Sequence, residues 1–293
     1  MSAFAWPAGT RCVVFVSVNF DAEVVDLKST TEDRLFGRFS YGRYGVRAGL
    51  PRLLALFKRR AIAATAFVTA SDAIRHPDAL RAFQDEGHEI ASRGMDLTPL
   101  HTLGEGERAA LAQARETIAK ITGKAPTGFR APGGELSPRT LGLLAELGFD
   151  YESSFQDDDY PYLIAPSSST RIVEVPTVSA LDDSLMFSAR HTHARLVKVW
   201  REEFDALYRE GCLVPLTLHL RGDVGSTRAA RIAALDELLG YIASQPGVRF
   251  MTGAGIAKLA LDAGLTAEPD PFARHQPTLD VTPYRGDLAV KPI

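Results

Sequence analysis

The chain alternates between two hydrophobic rhythms. Short runs in which nearly every position is apolar or β-branched read as strands buried on both faces. Between them, apolar residues recur every three or four positions, the helical spacing. On this pattern, strands cover residues 11–20, 63–68, 88–92, 151–155, 172–176, 213–220 and 248–251, with a short strand-like lead at 128–131. Helices cover residues 50–59, 78–86, 105–122, 138–147, 192–210, 228–243 and 256–263. Punctuation agrees with these limits. Gly87, Gly123, Gly148 and Gly211 close helices, Pro51 and Pro138 sit in first turns, and Ser137 caps.

Strand–helix–strand repetition implies a mostly parallel sheet with helices outside it. About seven strands without an interdomain linker or internal repeat favour one α/β barrel, not fully regular, over residues 1–293. Two segments fall outside the rhythm. Residues 24–47 are rich in charge, Gly, Tyr and Ser and read as a long functional loop. Residues 268–293 are Pro-rich and polar and read as a tail that wraps the surface or reaches a partner.

Composition narrows the class. The 293 residues are 45% hydrophobic and 24% charged, with net charge −3, so no nucleic-acid partner is expected. No apolar run has spanning length, and the start lacks a basic-then-apolar leader. The expectation is a cytoplasmic protein with no membrane partner. Cys12 and Cys212 each begin an apolar run, with neither redox nor metal spacing, and read as small buried residues.

Chemistry is expected where polar residues follow apolar strands, because the carboxyl ends of parallel strands are where such folds place their sites. VVFVSVNFDAE ends in Asp21 and Glu23. Arg93 follows the strand at 88–92, and Arg130 leads into Pro132-Gly133-Gly134. His219 ends the run at 213–220, with Arg221 and Asp223 next. Singly, each has a structural reading: a cap pair, a solvated arginine, an ion-pair partner, a core histidine. Convergence on one face would favour function for all of them. Asp158 and Tyr160 in the QDDDYPY loop, with Arg43 and Arg47, are candidates to shape a small-ligand pocket. Surface or subunit contacts remain open for the two arginines.

In its order of segments the chain resembles the polysaccharide deacetylase (NodB-homology) family. It is closest in pattern to the branch of intracellular peptidoglycan-deacetylase-like and allantoinase-type proteins. The carrying pieces are AWPAGTRCVVFVSVNFDAE, SYGRYGVRAGLPRLLALF, ATAFVTASDAIRHPDALRAFQDEGHEIASRG, TGKAPTGFRAPGGELSPRTLGLLAELGFDYESSFQDDDYPY, IVEVPTVSALDD and LVPLTLHLRGDVGSTRAARIAALDELLGYI. The resemblance implies a distorted (β/α) barrel. It puts Asp21 at the general-base position and Glu23 at a metal-ligand position. It also keeps Arg130-Ala131-Pro132 as the family's Arg-x-Pro and His219 as its general acid. At the two positions where the family carries metal-binding histidines, this chain has Arg93 and Leu97.

A divalent cation needs several N or O ligands, and Leu97 offers none. The expectation is therefore no cofactor, with zinc or another divalent metal replaced by the guanidinium of Arg93, paired with Glu23 and tuning Asp21. Without a metal, a reactive carbonyl is the better substrate. The implied function is hydrolysis of a C–N bond in a small cyclic amide, imide or ureide. Pro132 and Gly133 would line its site, and a backbone N–H, Arg93 or Arg130 would hold the oxyanion. Two alternatives are a binding protein that kept the barrel without the chemistry, and a metal-dependent deacetylase of N-acetylated sugars. The branch also implies a homo-oligomer, a tetramer or a dimer.

Overall fold

The computed structural model describes residues 4–29 and 36–274. The strands are β1 Cys12–Asn19, β2 Ala64–Val68, β3 Glu89–Ser92, β4 Gly128–Phe129, β5 Tyr151–Glu152, β6 Tyr162–Ala165, β7 Ile172–Glu174, β8 Leu213–His219, β9 Val248–Phe250 and β10 Glu268–Pro269. The helices are α1 Val24–Ser29, α2 Phe36–Tyr44, α3 Leu50–Arg60, α4 Ala70–Arg75, α5 Pro77–Asp85, α6 Glu107–Thr122, α7 Thr140–Glu146, α8 Asp183–Ser188, α9 His193–Glu210, α10 Ala229–Ala243, α11 Gly253–Asp262 and α12 Pro271–Arg274.

All strands join one sheet in the order β10-β6-β7-β5-β4-β3-β2-β1-β8, with β9 also pairing β1. Every pair is parallel except β6 with β7. This is the mostly parallel α/β architecture that the strand–helix rhythm implies. Among the described residues, β8 carries no further full strand on its outer edge, but a parallel bridge from Asp182 to Thr217 brings the start of α8 against it.

β1 is the axis. Its even residues Cys12, Val14, Val16 and Val18 pack outward with α3, α9 and α10 residues such as Leu53, Trp200 and Leu239. Its odd residues face the interior, where Val13 and Phe15 join Phe67, Tyr151 and Val173. Period-two alternation then continues into Ser17, Asn19 and Asp21. Along β1 the interior is thus apolar at the start and polar at the carboxyl end. β8 repeats the gradient in register: Leu213 pairs with Val13, Thr217 with Ser17 and His219 with Asn19.

The segment at 24–47 departs from the loop reading, since α1 and α2 occupy much of it and a wider helical turn, Gly45–Gly49, runs on into α3. Gly42 and Gly45 mark close approaches, not turns. A Cβ on Gly42 would lie 2.5 Å from the Ala22 carbonyl carbon, and one on Gly45 would lie 2.6 Å from the Leu220 carbonyl oxygen. The helix therefore lies directly on the chain ends of β1 and β8. The start of the 268–293 tail is also ordered, because β10 pairs with β6 and α12 follows; residues 275–293 lie outside the described residues. Cys12 and Cys212 are buried and unbridged.

Candidate active site

A cavity of about 290 Å³ opens at the carboxyl ends of the strands. Its wall includes Asn19, Arg93, Arg130, Ser153, Ser154, Gln156, Asp182, Thr217 and His219, with the backbone of Gly133 and Gly134. Among the described residues, no Phe, Tyr or Trp lines it.

Asp21 lies just beyond β1 with φ of 25°, a conformation unusual for a side-chain-bearing residue. Asp72 of α4 pins this turn: its Oδ2 accepts from Ala22 N at 2.7 Å and its Oδ1 from Val24 N at 3.2 Å. Burial, and then repulsion from Asp21, push the Asp72 carboxyl up to about 7 against those two bonds. The turn sends Asp21 and Glu23 to different neighbours. Arg93 Nε donates to Asp21 Oδ1 at 3.0 Å, whereas Glu23 Oε2 pairs with His76 Nε2 at 2.5 Å. The expected Arg93–Glu23 pair is thus not formed, because the two acids straddle a pinned bend. Burial opposes ionisation of Glu23, but His76 prevails and holds its carboxyl below the usual range.

Arg130 follows β4 and turns inward. Its guanidinium lies 4.1 Å from the Phe67 ring centroid. Nε donates to Ser153 O at 2.8 Å and Nη2 to Ser153 Oγ at 2.9 Å. Nη1 donates to Ser17 Oγ at 2.9 Å and Asn19 Oδ1 at 3.2 Å. Burial, and then the nearby charge of Arg93, pull its pKa down to about 10, so it stays a cation at neutral pH. His219 Nδ1 lies 2.9 Å from Asp183 Oδ1, and Nε2 lies 3.0 Å from Asn19 Nδ2. Burial pulls the imidazole pKa down, but the carboxylates of Asp183, Asp182 and Asp21 outweigh it and raise the net value.

The structure therefore brings Asp21, Arg93, Arg130, His219 and Gly133 to one end of the sheet. Pro132 is buried and is not among the residues that line the cavity. Other candidates lie elsewhere. Glu23 faces His76, outside the cavity lining. Arg43 and Arg47 are exposed and line a separate surface hollow with Ser40, Tyr44 and Ala48. Asp158 accepts from Tyr160 N, and Tyr160 OH donates to Glu210 O at 3.1 Å, near the start of β8. The QDDDYPY loop thus spans the length of the barrel: Gln156 reaches the cavity, while Asp159 O receives Leu213 N at the opposite end.

Sequence reasoning passed over Ser17, Asn19, Asp72, Ser153, Ser154, Asp182 and Asp183. A usable signal was present at Ser17 and Asn19, which continue the inward period of β1. The Asp182-Asp183 pair directly after the VEVPTVSAL run was another.

The chain also compares closely with known proteins. A family model described as polysaccharide deacetylase matches residues 29–152. A structure from Mycobacterium smegmatis, assigned to the polysaccharide deacetylases, superposes with a TM-score of 0.84 at 33% identity, over 90% of this chain and 95% of that one. The chain belongs to the polysaccharide deacetylase family. A peptidoglycan deacetylase of Helicobacter pylori is 28% identical over 74% of this chain and 85% of its own. The structure of Puue allantoinase superposes with a TM-score of 0.80 at 27% identity, over 89% of this chain and 94% of that one. The polysaccharide deacetylase fold here is thus that of a hydrolase family, and among the described residues no helix is long and apolar enough to cross a membrane.

The family's metal does not fit its usual place in this chain. Arg93 is itself a cation on Asp21, and Leu97, in a left-handed turn at φ of 66°, has no donor atom. Asp182, Asp183 and His219 bring donor atoms within 4.8 Å of one another, but they are already engaged. Asp182 Oδ1 caps α8 through Ser184 N and Leu185 N, and Asp183 holds the His219 ring. Glu23, Asp72 and His76 also gather three donor atoms within 4.8 Å, on the side of the bend away from the cavity.

Proposed function

We propose that this protein hydrolyses a C–N bond in a small cyclic amide, imide or ureide without a catalytic metal. The carrying observation is the Arg93–Asp21 pair, which puts a permanent cation beside the first-strand acid where the family pattern calls for a metal ligand. Arg93 and Arg130 both line the cavity, and Nη2 of Arg130 has a second N–H beyond its bond to Ser153. Preorganised cationic donors of this kind stabilise the oxyanion that forms when a carbonyl is attacked.

The size and wall of the cavity favour a small ring. About 290 Å³ suits a small polar molecule, and a sugar polymer would be expected to meet aromatic stacking surfaces that this wall lacks. The likeness to Puue allantoinase points the same way, while the Helicobacter pylori relative supplies the competing substrate class. A small-molecule substrate then needs no nucleic-acid or membrane partner.

A hydrolysis screen tests this directly. Hydantoins, cyclic imides, allantoin and N-acetylglucosamine oligomers are offered to chelator-treated protein, and ring opening and acetate release are both followed. Ring opening of at least one cyclic substrate is expected. Acetate release alone, restored only by added metal, contradicts the proposal.

A further inference from the structure

Asn19 joins the two most informative groups in the cavity. A guanidinium has donors only, so the Asn19 atom 3.2 Å from Arg130 Nη1 is the amide oxygen. That fixes the amide, and its NH₂ faces His219 Nε2 at 3.0 Å. An NH₂ also only donates, so Nε2 holds a lone pair. The ring proton is then on Nδ1, 2.9 Å from Asp183 Oδ1. Asp183 is held in turn by His219 N at 3.2 Å and Ser226 N at 2.7 Å, both donating to Oδ2. An arginine that is charged at neutral pH thus sets the tautomer of a histidine through one side-chain amide.

Asp21 is placed differently. Its Oδ1 accepts from Arg93 Nε, and it is absent from the cavity wall, whereas Asn19 and His219 are both in it.

We propose that Nε2 of His219, not Asp21, takes the proton of the attacking water, and that Asn19 is the positioning residue that keeps Nε2 unprotonated beforehand. This rests on the hydrolase reading of the cavity. Nε2 has one lone pair, so the water's O–H replaces the Asn19 N–H when substrate docks. The water oxygen bonds to the carbonyl carbon and its proton passes to Nε2. The carbonyl π pair moves onto oxygen, facing Arg130 and Arg93. The oxyanion's pair then returns to re-form the C=O bond as the C–N bond breaks, its electron pair leaving on nitrogen, and Nε2 gives the proton to that nitrogen. The products are a ring-opened acid and its amine, amide or urea end, with His219 neutral again. The groups facing the ring are Asp183 and Asp182 of α8, Asp21 and Asn19 at the end of β1, and, through Asn19 and Asp21, Arg130 and Arg93. The carboxylates favour the imidazolium, and the Asn19 NH₂ opposes it.

The test pairs ¹⁵N NMR of the His219 ring with pH profiles, in wild type and in Asn19→Asp, with Asn19→Ser as a second variant and thermal melting as a check on folding. Wild type is expected to show an unprotonated Nε2 above the ring's pKa, and kcat/KM that rises with pH through that same pKa. Asn19→Asp offers Nε2–H an acceptor. It should raise the pKa of the ring and carry the acid limb upward with it by about one unit, a roughly tenfold loss on the limb itself. A proton found on Nε2 of the neutral ring, or kcat/KM that falls as pH rises through the His219 pKa, overturns the proposal. NMR decides the tautomer without turnover. A protein with the stated tautomer that opens no ring defeats the hydrolase reading instead, and with it the role assigned to His219.

Discussion

Arg93 and Asp21 carry the account at the scale of single residues. Both are buried, so removing one leaves the other as an uncompensated charge. Arg93→Ala should cost about 3–5 kcal/mol in chemical denaturation, and adding Asp21→Asn should recover part of it. Additive losses in the double variant would show that the pair does not interact as drawn. Much of this site was legible in the sequence. The acids after β1, Arg93 in place of a histidine, the Arg-x-Pro and His219 all stand in strings that resemble a family. What was not legible is which acid Arg93 meets. That depends on Asp72, fifty positions away along the chain, which pins the bend between Asp21 and Glu23. Pairings set by a buried side chain on another element leave no local trace in spacing or composition.

Among the elements, two packing features carry consequences. In the loop after β8, a Cβ on Gly225 would lie 1.8 Å from the His219 carbonyl oxygen. Gly225→Ala therefore has to displace the residue that bears the ring. It should cost about 1–3 kcal/mol in thermal or chemical unfolding and lower turnover as well, and a variant with wild-type stability and rate would contradict the packing. β5 and β7 place Glu152 and Glu174 directly opposite one another, both buried. Burial, and then the charge of Glu152, push the Glu174 carboxyl well above its usual range. The folded state then keeps a proton that the unfolded chain gives up. This contribution to stability is complete below the ordinary glutamate pKa and is lost as pH rises through the folded value. Glu174→Gln should flatten that decline with rising pH in a series of unfolding curves, and an unchanged decline would place its origin elsewhere. β1, β2, β7 and β8 were legible because they are buried on both faces. β6 and β10 were not, both being short, with β6 only partly buried and β10 exposed. Nor was α2, whose Gly42 serves close approach to Ala22 just beyond β1.

At the scale of the molecule, a parallel sheet with an apolar interior at one end and a polar interior at the other gives one place for chemistry. The family supplies that place and, in its usual pattern, a metal. In this chain the sheet, the Arg-x-Pro turn and the histidine remain, and a guanidinium lies against the first acid. The most direct test is to measure turnover of a cyclic amide against bound transition metal per chain, from chelated protein to protein loaded with zinc or cobalt. The account predicts a rate independent of metal content, with full turnover in metal-stripped protein. A rate that vanishes on stripping and returns in proportion to bound metal would contradict it.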